Sequence, residues 1–406
     1  MGGFGLIGRT LAHSFSPAIH AMVGGYDYRL YPLEPEVLAD FVAHTTLDGF
    51  NVTIPYKQAV LPLCRELSAR AAAVGSVNTM LRLPGGGFRG ENTDYDGFSA
   101  LLGADAGRLR GQQTLVLGSG GSAQTVCAVL SDRGIPYTVI SRTGADNYQT
   151  LHRHGDTALV VNTTPVGMYP HNGESPVDLS LFPECRLVLD LIYNPAKTAL
   201  LLQAERLGIP ARSGLLMLCA QGVRAGELFL GRRLPPTLVA DMAARISRQT
   251  MNIVLIGMPG CGKSTTARYL SALTGRPMAD TDTLVAEAAG MSIPALFERY
   301  GEAHFRALET DVLRRVSKES GQIIATGGGV VTVPENRDLI HQNSLCIFLE
   351  RDKEQLAVAD RPLSARVGID RLYEARLPLY RAWSDAAYRN DHSQTTAEQI
   401  RKDLQL

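Results

Sequence analysis

Residues Gly257–Thr265, with the sequence GMPGCGKST, fit the pattern G-x-x-x-x-G-K-[ST] at every position. The apolar run Ile253–Ile256 precedes this stretch, and a helix-compatible segment, Ser264–Thr274, follows it. A glycine-rich loop between a strand and a helix can place its backbone N–H groups around a polyphosphate. The pattern therefore predicts a P-loop nucleoside triphosphate site, with Lys263 on the outer phosphates and Ser264 on Mg²⁺. The expected nucleotide contacts are Gly257, Gly260, Cys261, Gly262, Lys263, Ser264 and Thr265.

Bulk properties restrict the partners of the chain. Its 406 residues predict two or three domains at about 100–200 residues each. Lys+Arg and Asp+Glu both total 40, and this zero net charge argues against nucleic acid or an anionic membrane as partner. The six cysteines form no C-x-x-C pair, which is typical of reduced cytoplasmic thiols. No apolar run approaches the ~18 residues of a membrane-spanning helix, and the N-terminus lacks a signal-peptide pattern. We therefore expect small-molecule substrates and a cytoplasmic location.

The alternation of short apolar runs with helical stretches predicts an α/β fold throughout. In the first 95 residues the expected strands are Phe4–Ile7, Tyr28–Leu33 and Gly49–Ile54, with helices at Glu36–Ala43 and Ala59–Ala73. Between residues 114 and 230 the expected strands are Thr114–Leu117, Tyr137–Ile140, Ala158–Asn162 and Leu187–Leu191. Residues 232–250 contain Pro235-Pro236 and then a helical stretch, and we place the domain junction there.

A second nucleotide motif lies upstream of the P-loop. Gly118–Ala123 follows the strand Thr114–Leu117 and forms a G-x-G-x-x-A variant of the dinucleotide-binding loop. The next strand ends in Ser141-Arg142-Thr143, where an NAD site would place an acid on the ribose. A cation and two hydroxyls suit a 2′-phosphate, so the residues favour NADP; the alternative is that Arg142 is a solvated loop residue. The expected cofactor contacts are Gly118, Ser119, Gly120, Gly121, Ser122, Ala123, Ser141, Arg142 and Thr143.

Four polar motifs in the front half point to a second ligand. They are His13–Pro17, Gly49–Lys57, Gly75–Thr79 and Asn92–Asp94. Each alone is typical of turn chemistry, but the set together suits a small polyhydroxylated carboxylate. A Lys–Asp pair could also pass a proton to a carbonyl oxygen as a hydride arrives.

These residues resemble shikimate dehydrogenase over about residues 2–246. The matching segments, in order, are His13–His20, Asn51–Lys57, Gly75–Thr79, Asn92–Asp94, the Gly118 loop, Asn162–Met168, Asp190–Pro195 and Gly214–Gln221. The resemblance implies Lys57 and Asp94 as the catalytic pair. It implies substrate contacts from Ser14, Ser16, Thr53, Asn78, Asp94, Tyr193 and Gln221, and residues near the nicotinamide of NADP(H) from Thr164, Gly214 and Met217. It also implies two lobes: residues 1–93 with 215–246 for substrate, and a Rossmann lobe, 94–214, for NADP.

Further motifs follow the P-loop. Asp280 and Asp282 stand one residue apart at a predicted strand end, where one could serve Mg²⁺ and the other a substrate hydroxyl; the alternative is an exposed acidic turn. Arg306 and Glu309 share a helical face, so Arg306 could bind a carboxylate, or the two could form a surface ion pair. Gly327–Gly329 follow a strand and allow close backbone approach. Arg361 and Arg376 add two cations.

Together with the P-loop, these motifs resemble shikimate kinase over about residues 251–406. The resemblance implies that shikimate is bound by Asp282, Arg306, Gly328 and Arg376, and Mg²⁺ by Ser264 and Asp280. It implies that Arg361 closes over the ATP phosphates from a lid and shares catalysis with Lys263. Gln355–Asp360 carries no basic residue where many relatives place an arginine against adenine, so the adenine contact stays open.

The product implied for the front half is the substrate implied for the back half. We therefore expect a bifunctional enzyme of the shikimate pathway, which leads to chorismate and aromatic amino acids. Its expected fold is a two-lobed α/β dehydrogenase followed by a P-loop α/β kinase domain. Three alternatives remain: a front half that oxidises quinate or a related polyol with NAD, a kinase for another hydroxy acid, and one half that binds ligand without catalysis.

Overall fold

The computed structural model describes residues 3–11, 14–356 and 368–406. The chain divides into two compact units, one of residues 1–193 with 203–244 and one of residues 194–202 with 245–406. Within the described residues the first unit carries two sheets and the second carries one. The predicted α/β fold class is confirmed. No helix in the described ranges combines the length and apolar character needed to cross a membrane.

The N-terminal sheet is mixed, with strand order β2-β1-β3-β5-β6-β4. Strand β1 pairs in parallel with β2 and β3, whereas β5 is antiparallel to β3 and β6. Every residue of β1 and β3 is buried, which explains their nearly continuous apolar sequences. The elements are β1 (Phe4–Gly8), α1 (Ser16–Val23), β2 (Tyr28–Pro32), α2 (Leu38–His44), β3 (Gly49–Val52), β4 (Glu66–Leu67), α3 (Ala69–Val74), β5 (Thr79–Arg82) and β6 (Phe88–Glu91).

The predicted helix Ala59–Ala73 is wrong. A short 3₁₀ turn spans Leu61–Leu63, strand β4 follows and pairs with β6, and helix α3 begins only at Ala69. Pro62 lacks the N–H that a continuous helix would use. The Ser68 hydroxyl accepts a hydrogen bond from the Ala71 N–H at 3.1 Å, so it caps a new helix instead of continuing an old one.

The second sheet is parallel and has the order β11-β10-β9-β7-β8. The carboxyl ends of parallel strands meet at one edge, so the loops after β7, β8 and β9 lie close together there. The elements are α4 (Asp94–Leu102), α5 (Asp105–Leu109), β7 (Thr114–Leu117), α6 (Gly121–Asp132), β8 (Tyr137–Ile140), β9 (Leu159–Asn162), β10 (Leu187–Asp190), α7 (Ala199–Arg206), β11 (Ala211–Ser213) and α8 (Leu215–Leu230). Helix α9 (Leu238–Thr250) follows.

The sheet of the second unit is also parallel, with the order β13-β14-β12-β15-β16. Its central strand β12 is fully buried and leads directly into the P-loop. Helix α12 is interrupted at Gly301, whose φ of 79° is not helical. The elements are β12 (Asn252–Ile256), α10 (Lys263–Thr274), β13 (Met278–Asp280), α11 (Thr281–Ala289), α12 (Ile293–Val316), β14 (Ile323–Ala325), α13 (Glu335–His341), β15 (Ser344–Glu350), α14 (Ile369–Trp383), β16 (Ala386–Arg389) and α15 (Ser393–Leu404).

Candidate active sites

Lys57 and Asp94 form a direct ion pair in the first unit. Lys57 Nζ donates to Asp94 Oδ2 at 2.6 Å, and the side chains are 20% and 9% exposed. Lys57 lies in the loop that Thr53 begins after β3, and Asp94 is the first residue of α4. The Lys57 carbonyl accepts from the Val77 N–H at 2.9 Å, which anchors the loop. The fold thus brings this predicted pair together with its amine still partly open to a ligand.

Asn78 lies at the centre of a buried polar cluster beside that pair. Its Oδ1 accepts from the Thr93 N–H at 2.7 Å, and its Nδ2 donates to Thr93 Oγ1 at 3.0 Å. Thr93 immediately precedes Asp94, so Asn78 fixes the start of α4. Buried networks whose members are all paired are rigid, and this one sets the distance between the predicted amide and the predicted carboxylate.

Ser14, Ser16 and Tyr193 come together at the N-terminus of α1. The Ser16 N–H donates to Ser14 Oγ at 3.2 Å. The ring of Tyr193, which follows β10, lies 5.5 Å from the ring of Phe15 between centroids. Tyr193 therefore lies beside Phe15, the residue between the two predicted serines, although the two rings are far apart in the sequence.

Gln221 and Met217 lie one turn apart on α8, against α4. A Cβ added at Gly97 would lie 2.7 Å from the Met217 carbonyl oxygen and 3.1 Å from Gln221 Cβ. The glycine therefore permits the two helices to approach closely. Met217 is 8% exposed and packs in the core beneath the second sheet. Gly214 immediately precedes α8, and its N–H donates to the Ile192 carbonyl at 2.9 Å.

Gly214→Ala is expected to destabilise the first unit. The added Cβ would lie 2.0 Å from the Leu191 carbonyl oxygen, a backbone atom that cannot move without displacing the end of β10. Overpacking of this kind typically costs about 1–3 kcal/mol. Gly107→Ala is the matched control, since it lies in α5 with no atom within 4 Å of the new Cβ. Thermal unfolding should show a lower midpoint for Gly214→Ala alone; equal midpoints would contradict the packing.

The glycine loop between β7 and α6 packs closely against the residues that follow β9. Gly118 has φ +103°, and a Cβ there would lie 3.0 Å from Thr164 Cγ2. Thr164 follows β9 and donates to Asn162 Oδ1 at 2.7 Å, so the predicted nicotinamide residue adjoins the loop. The loop delivers exposed N–H groups to the N-terminus of a twelve-residue helix, which favours an anion. Ser119 and Gly120 are exposed, Gly121 and Ser122 are half-buried, and Ala123 is buried.

Ser141, Arg142 and Thr143 follow β8, the strand beside β7. Ser141 is half-buried and donates to the Thr143 carbonyl, while Arg142 and Thr143 are exposed. The acid in this turn, Asp146, lies 3.2 Å from His154 Nε2. The exposed guanidinium of Arg142 therefore lies at the carboxyl end of β8, where the sequence predicts that the 2′-phosphate of NADP binds.

The P-loop wraps around the amine of Lys263. Lys263 is 7% exposed, and its Nζ donates to the carbonyls of Gly257 at 2.9 Å and Met258 at 3.0 Å. Gly260 and Gly262 have φ of +83° and +93°, a region that other residues adopt only with strain. The loop therefore holds its N–H groups and its lysine in one compact turn at the start of α10.

Ser264 and Asp280 form the pair that the sequence assigns to Mg²⁺. Ser264 Oγ donates to Asp280 Oδ2 at 2.6 Å. Asp280 Oδ1 caps α11 by accepting from the N–H groups of Asp282 at 3.1 Å and Thr283 at 3.4 Å. A hydroxyl and a carboxylate suit Mg²⁺, which usually takes its other ligands from water and phosphate. Among the described residues no group of three or more His, Cys, Asp or Glu side chains forms a metal cage.

Arg306 and Glu309 form a buried ion pair on the second segment of α12. Arg306 Nη1 lies 2.5 Å from Glu309 Oε2, and the side chains are 11% and 0% exposed. The alternative of a surface ion pair is therefore excluded. Burial raises the pKa of the Glu309 carboxyl, and Arg306 opposes that shift. Arg306 also pairs with Glu302 at 3.3 Å, so two carboxylates hold its planar fork in place.

Two glycines after β14 allow the neighbours of that ion pair to pack closely. A Cβ added at Gly327 would lie 2.3 Å from Glu309 Oε1 and 2.7 Å from Asp282 Oδ1. One added at Gly329 would lie 2.0 Å from Arg306 Nη2. The sequence predicted that this glycine run allows a close approach to its backbone. The groups that approach it are the charged side chains of Asp282, Arg306 and Glu309.

Gly328, between those two glycines, binds Arg376, one of the two further cations that the sequence predicted. Its carbonyl accepts from Arg376 Nη1 at 3.2 Å and from the Tyr380 hydroxyl. Arg376 is 5% exposed and lies on α14. One loop thus gathers all four residues assigned to shikimate from the sequence: Asp282, Arg306, Gly328 and Arg376.

A cleft of about 760 Å³ opens over the P-loop. The sequence reasoning missed part of its lining: Arg351, which follows β15, and Asp391–Thr395, which form the end of the loop before α15 and the first turn of that helix. Tyr269 on α10 also lines the cleft. The signal was available for Arg351, because residues after a strand beside β12 belong at the same sheet edge as the P-loop. Arg361 lies outside the described residues.

Comparison with known proteins follows the same division of the chain. A family model described as the shikimate dehydrogenase substrate binding domain matches residues 6–80, and one described as shikimate kinase matches residues 259–405. A shikimate dehydrogenase (NADP(+)) of Synechococcus sp. (strain JA-3-3Ab) is 43% identical over 274 residues, covering 59% of this chain and 92% of that relative. The chain belongs to the shikimate dehydrogenase family.

Solved structures extend the dehydrogenase likeness to the fold. A chorismate mutase/shikimate 5-dehydrogenase fusion protein from Clostridium acetobutylicum is 32% identical with a TM-score of 0.57, covering 61% of this chain and 97% of that one. A quinate dehydrogenase from Corynebacterium glutamicum, in complex with NAD, is 29% identical with a TM-score of 0.53, covering 60% and 97%. This shikimate dehydrogenase also carries a shikimate kinase domain, and the predicted bifunctional shikimate-pathway enzyme is confirmed.

Proposed function

We propose that the dehydrogenase reduces 3-dehydroshikimate to shikimate with NADPH, and that the kinase domain then phosphorylates the new hydroxyl with ATP. The observation that carries the first step is the Lys57–Asp94 ion pair at 2.6 Å, since an oriented amine can protonate a carbonyl oxygen. The second step is supported by three side chains, those of Asp282, Arg306 and Arg376, that converge on the loop Gly327–Gly329 beside a complete P-loop.

Lys57 acts as general acid in the reduction. NADPH, held by the loop at Gly118 and by Arg142, would supply a hydride to the carbonyl carbon. As the C=O π bond breaks, the Lys57 ammonium donates a proton to the oxygen, which becomes the hydroxyl of shikimate. Asp94 accepts the hydrogen bond of Lys57 Nζ and orients it, and Asn78 and Gln221 hold the other polar groups of the ring. A general acid of this kind typically contributes about 10²–10⁴ in rate.

We assign the preference for NADP over NAD to Arg142. We propose that its exposed guanidinium and the hydroxyls of Ser141 and Thr143 bind the 2′-phosphate of NADPH, while the loop at Gly118 approaches the pyrophosphate. The exposure of Arg142 at the carboxyl end of β8 supports this, because a guanidinium there can form charge-assisted hydrogen bonds with a bound phosphate.

Arg142→Gln is expected to raise the KM for NADPH about tenfold and to leave the KM for NADH unchanged, because only NADPH loses a charge-assisted hydrogen bond. Arg153→Gln, at another exposed arginine of the same lobe, removes the same charge and serves as the control. Steady-state kinetics with each cofactor measure the effect. An equal loss with both cofactors would show that Arg142 does not read the phosphate.

In the kinase domain, catalysis depends mainly on positioning and charge neutralisation. Arg306 and Arg376 would bind the carboxylate of shikimate, and Asp282 would orient its hydroxyl. That oxygen attacks the terminal phosphorus of ATP and gives its proton to the Asp282 carboxylate, while the bond to the bridging oxygen breaks and ADP leaves. Lys263 stabilises the charge on the migrating group, and Arg361 is proposed to assist it.

Asp280→Asn is expected to raise the Mg²⁺ concentration that half-saturates the kinase by about tenfold, since the carboxylate charge that attracts the cation is lost. Asparagine can still cap α11 through its carbonyl oxygen, so the fold should be unchanged. Ser264→Ala tests the other predicted ligand. Magnesium titrations of phosphorylation measure both, and an unchanged requirement in both variants would remove this pair from the Mg²⁺ site.

The quinate alternative has one observation in its favour, the fold likeness to a quinate dehydrogenase that binds NAD. The identity to a shikimate dehydrogenase (NADP(+)) is greater, at 43% against 29%, and this favours reduction of 3-dehydroshikimate with NADPH. Rates with quinate and NAD against shikimate and NADP separate the two.

A one-pot incubation tests the whole proposal. The chain is supplied with 3-dehydroshikimate, NADPH, ATP and Mg²⁺, and the products are identified by mass spectrometry. Shikimate 3-phosphate supports both steps and their order. Shikimate alone would refute the kinase step, and the absence of product would refute the substrate or cofactor of the reduction.

A further inference from the structure

Tyr380 is a buried tyrosine of the kinase domain that the mechanism above does not use. It lies on α14, four positions after Arg376, and is 0% exposed. Its ring stacks on that of Phe348 from β15, with centroids 5.3 Å apart and planes 16° from parallel. Burial raises the pKa of its phenol, so the hydroxyl keeps its proton and can donate. A buried tyrosine hydroxyl usually has a hydrogen-bond partner, and here that partner lies in the proposed substrate site.

The partner of the Tyr380 hydroxyl is the carbonyl oxygen of Gly328. A carbonyl can only accept, so the phenol is the donor. Arg376 Nη1 donates to the same oxygen at 3.2 Å. Residues four positions apart share one face of a helix, and α14 therefore directs two donors at one carbonyl. When the other N–H groups of Arg376 bind the carboxylate of shikimate, Tyr380 still fixes this oxygen.

The fixed carbonyl sets the direction of a neighbouring N–H. The Gly328 carbonyl and the Gly329 N–H belong to one planar trans peptide, so they point in opposite directions. Gly329 is buried, and its N–H has no hydrogen-bond acceptor among residues 3–11, 14–356 and 368–406. A buried N–H without a partner costs free energy, which a bound oxygen would offset. Gly329 also packs against Arg306, the proposed carboxylate ligand, since an added Cβ would lie 2.0 Å from Nη2.

The same peptide is enclosed on another side by the P-loop. A Cβ added at Gly328 would lie 2.7 Å from both Cγ and Cδ of Pro259. The Gly327 N–H donates to Thr281 Oγ1 at 3.1 Å, which anchors the start of the glycine run. Consecutive glycines allow many backbone conformations. The rotation of the Gly328 peptide therefore depends on the two hydrogen bonds that its carbonyl accepts.

We propose that Tyr380 is a positioning residue of the kinase, whose hydroxyl holds the Gly328 peptide so that the Gly329 N–H can donate to an oxygen of bound shikimate. The inference rests on the proposed phosphorylation of shikimate. Without the hydroxyl, Arg376 is the one donor to the Gly328 carbonyl left among the described residues, and its bond there competes with the carboxylate of the substrate. The peptide can then rotate, and the donor for shikimate loses its single orientation.

The P-loop does not depend on Tyr380 for its shape. The Lys263 amine donates to two carbonyls of the loop, and Asn390 Nδ2 donates to the Cys261 carbonyl at 2.6 Å. These bonds remain when one phenolic hydroxyl is removed. We therefore expect a variant without the hydroxyl to lose affinity for shikimate and to keep its affinity for ATP.

Tyr380→Phe tests the role, because it deletes one oxygen and keeps the ring that stacks on Phe348. We expect the KM for shikimate in phosphorylation to rise about fivefold, as the loss of one hydrogen bond typically allows, with kcat and the KM for ATP changed less than about twofold. Tyr388→Phe is the matched control, since its hydroxyl donates to Asp403 Oδ2 at 3.2 Å, at the opposite end of α15 from the cleft. It should leave both KM values unchanged. Oxidation of shikimate with NADP by the same chains should also keep its KM.

Thermal unfolding of both variants separates positioning from folding. A Tyr380→Phe variant that melts earlier but keeps the wild-type KM for shikimate would overturn the proposal, because the hydroxyl would then support only the fold. Equal rises in the KM for shikimate and the KM for ATP would overturn it too, since the hydroxyl would then shape the whole cleft. So would an equal effect of Tyr388→Phe. A wild-type chain that fails to phosphorylate shikimate refutes the proposed function itself, and the positioning role with it.

Discussion

Lys57→Ala is expected to lower kcat for the reduction of 3-dehydroshikimate by roughly 10²–10⁴-fold, the usual contribution of a general acid. The variant loses the amine that donates to Asp94 Oδ2 at 2.6 Å, and with it the proton for the carbonyl oxygen. The same chain should phosphorylate added shikimate at the wild-type rate, because the P-loop belongs to the other compact unit. Separate assays of the two half-reactions on one preparation measure both effects.

Lys57→Arg separates proton transfer from charge. Arginine keeps a cation beside Asp94, but a guanidinium does not give up its proton in a protein. We expect this variant to bind shikimate, measured by calorimetry, and to reduce 3-dehydroshikimate as poorly as Lys57→Ala. Full activity of Lys57→Arg would show that position 57 acts through charge alone. Loss of both half-reactions in a folded variant would contradict two independent sites.

The strands that carry the nucleotide loops are the part of the fold that the sequence predicts best. Strands β7 and β8 have the predicted bounds, and β12 differs by one residue. Each is a short run that ends at a turn and pairs in a parallel sheet. Strands β7 and β12 are fully buried, whereas β8 lies at the sheet edge and only its Ile140 is buried. The failed helix at Ala59–Ala73 has a different cause. Strand β4 exists because Glu66 and Leu67 pair with Arg89 and Gly90, and no local pattern reveals that pairing.

The candidate sites also depend on long-range contacts that local sequence patterns do not reveal. Lys57 and Asp94 could be paired from their chemistry and from the family resemblance, although they lie 37 positions apart. The helical spacing of Arg306 and Glu309 predicts a shared face but not that the face is buried. Burial is decided by Gly327, a residue 18 positions beyond Glu309, whose missing side chain leaves room for the carboxylate. Long-range contacts of this kind follow from tertiary packing and not from sequence periodicity.

Lys263→Ala is expected to impair phosphorylation and leave the reduction intact, which is the reverse of Lys57→Ala. It should lower kcat for phosphorylation of shikimate by roughly 10²–10³-fold, as the loss of a cation aimed at developing charge usually does. Reduction of 3-dehydroshikimate should continue at the wild-type rate. The two half-reactions, assayed on the same chain, would then be separable in both directions by single substitutions.

Lys263 also contacts the P-loop backbone, and a second substitution separates this structural role from the role of its charge. Its amine bonds to the carbonyls of Gly257 and Met258, so its loss could loosen the loop as well as remove charge. Lys263→Met keeps the apolar stem and most of the packing. If charge is the main contribution, Lys263→Met and Lys263→Ala should lose kcat equally and still bind a non-hydrolysable ATP analogue, measured by calorimetry. If Lys263→Met instead recovers most of kcat, the lysine acts by holding the loop, and the phosphoryl charge must be stabilised by other residues.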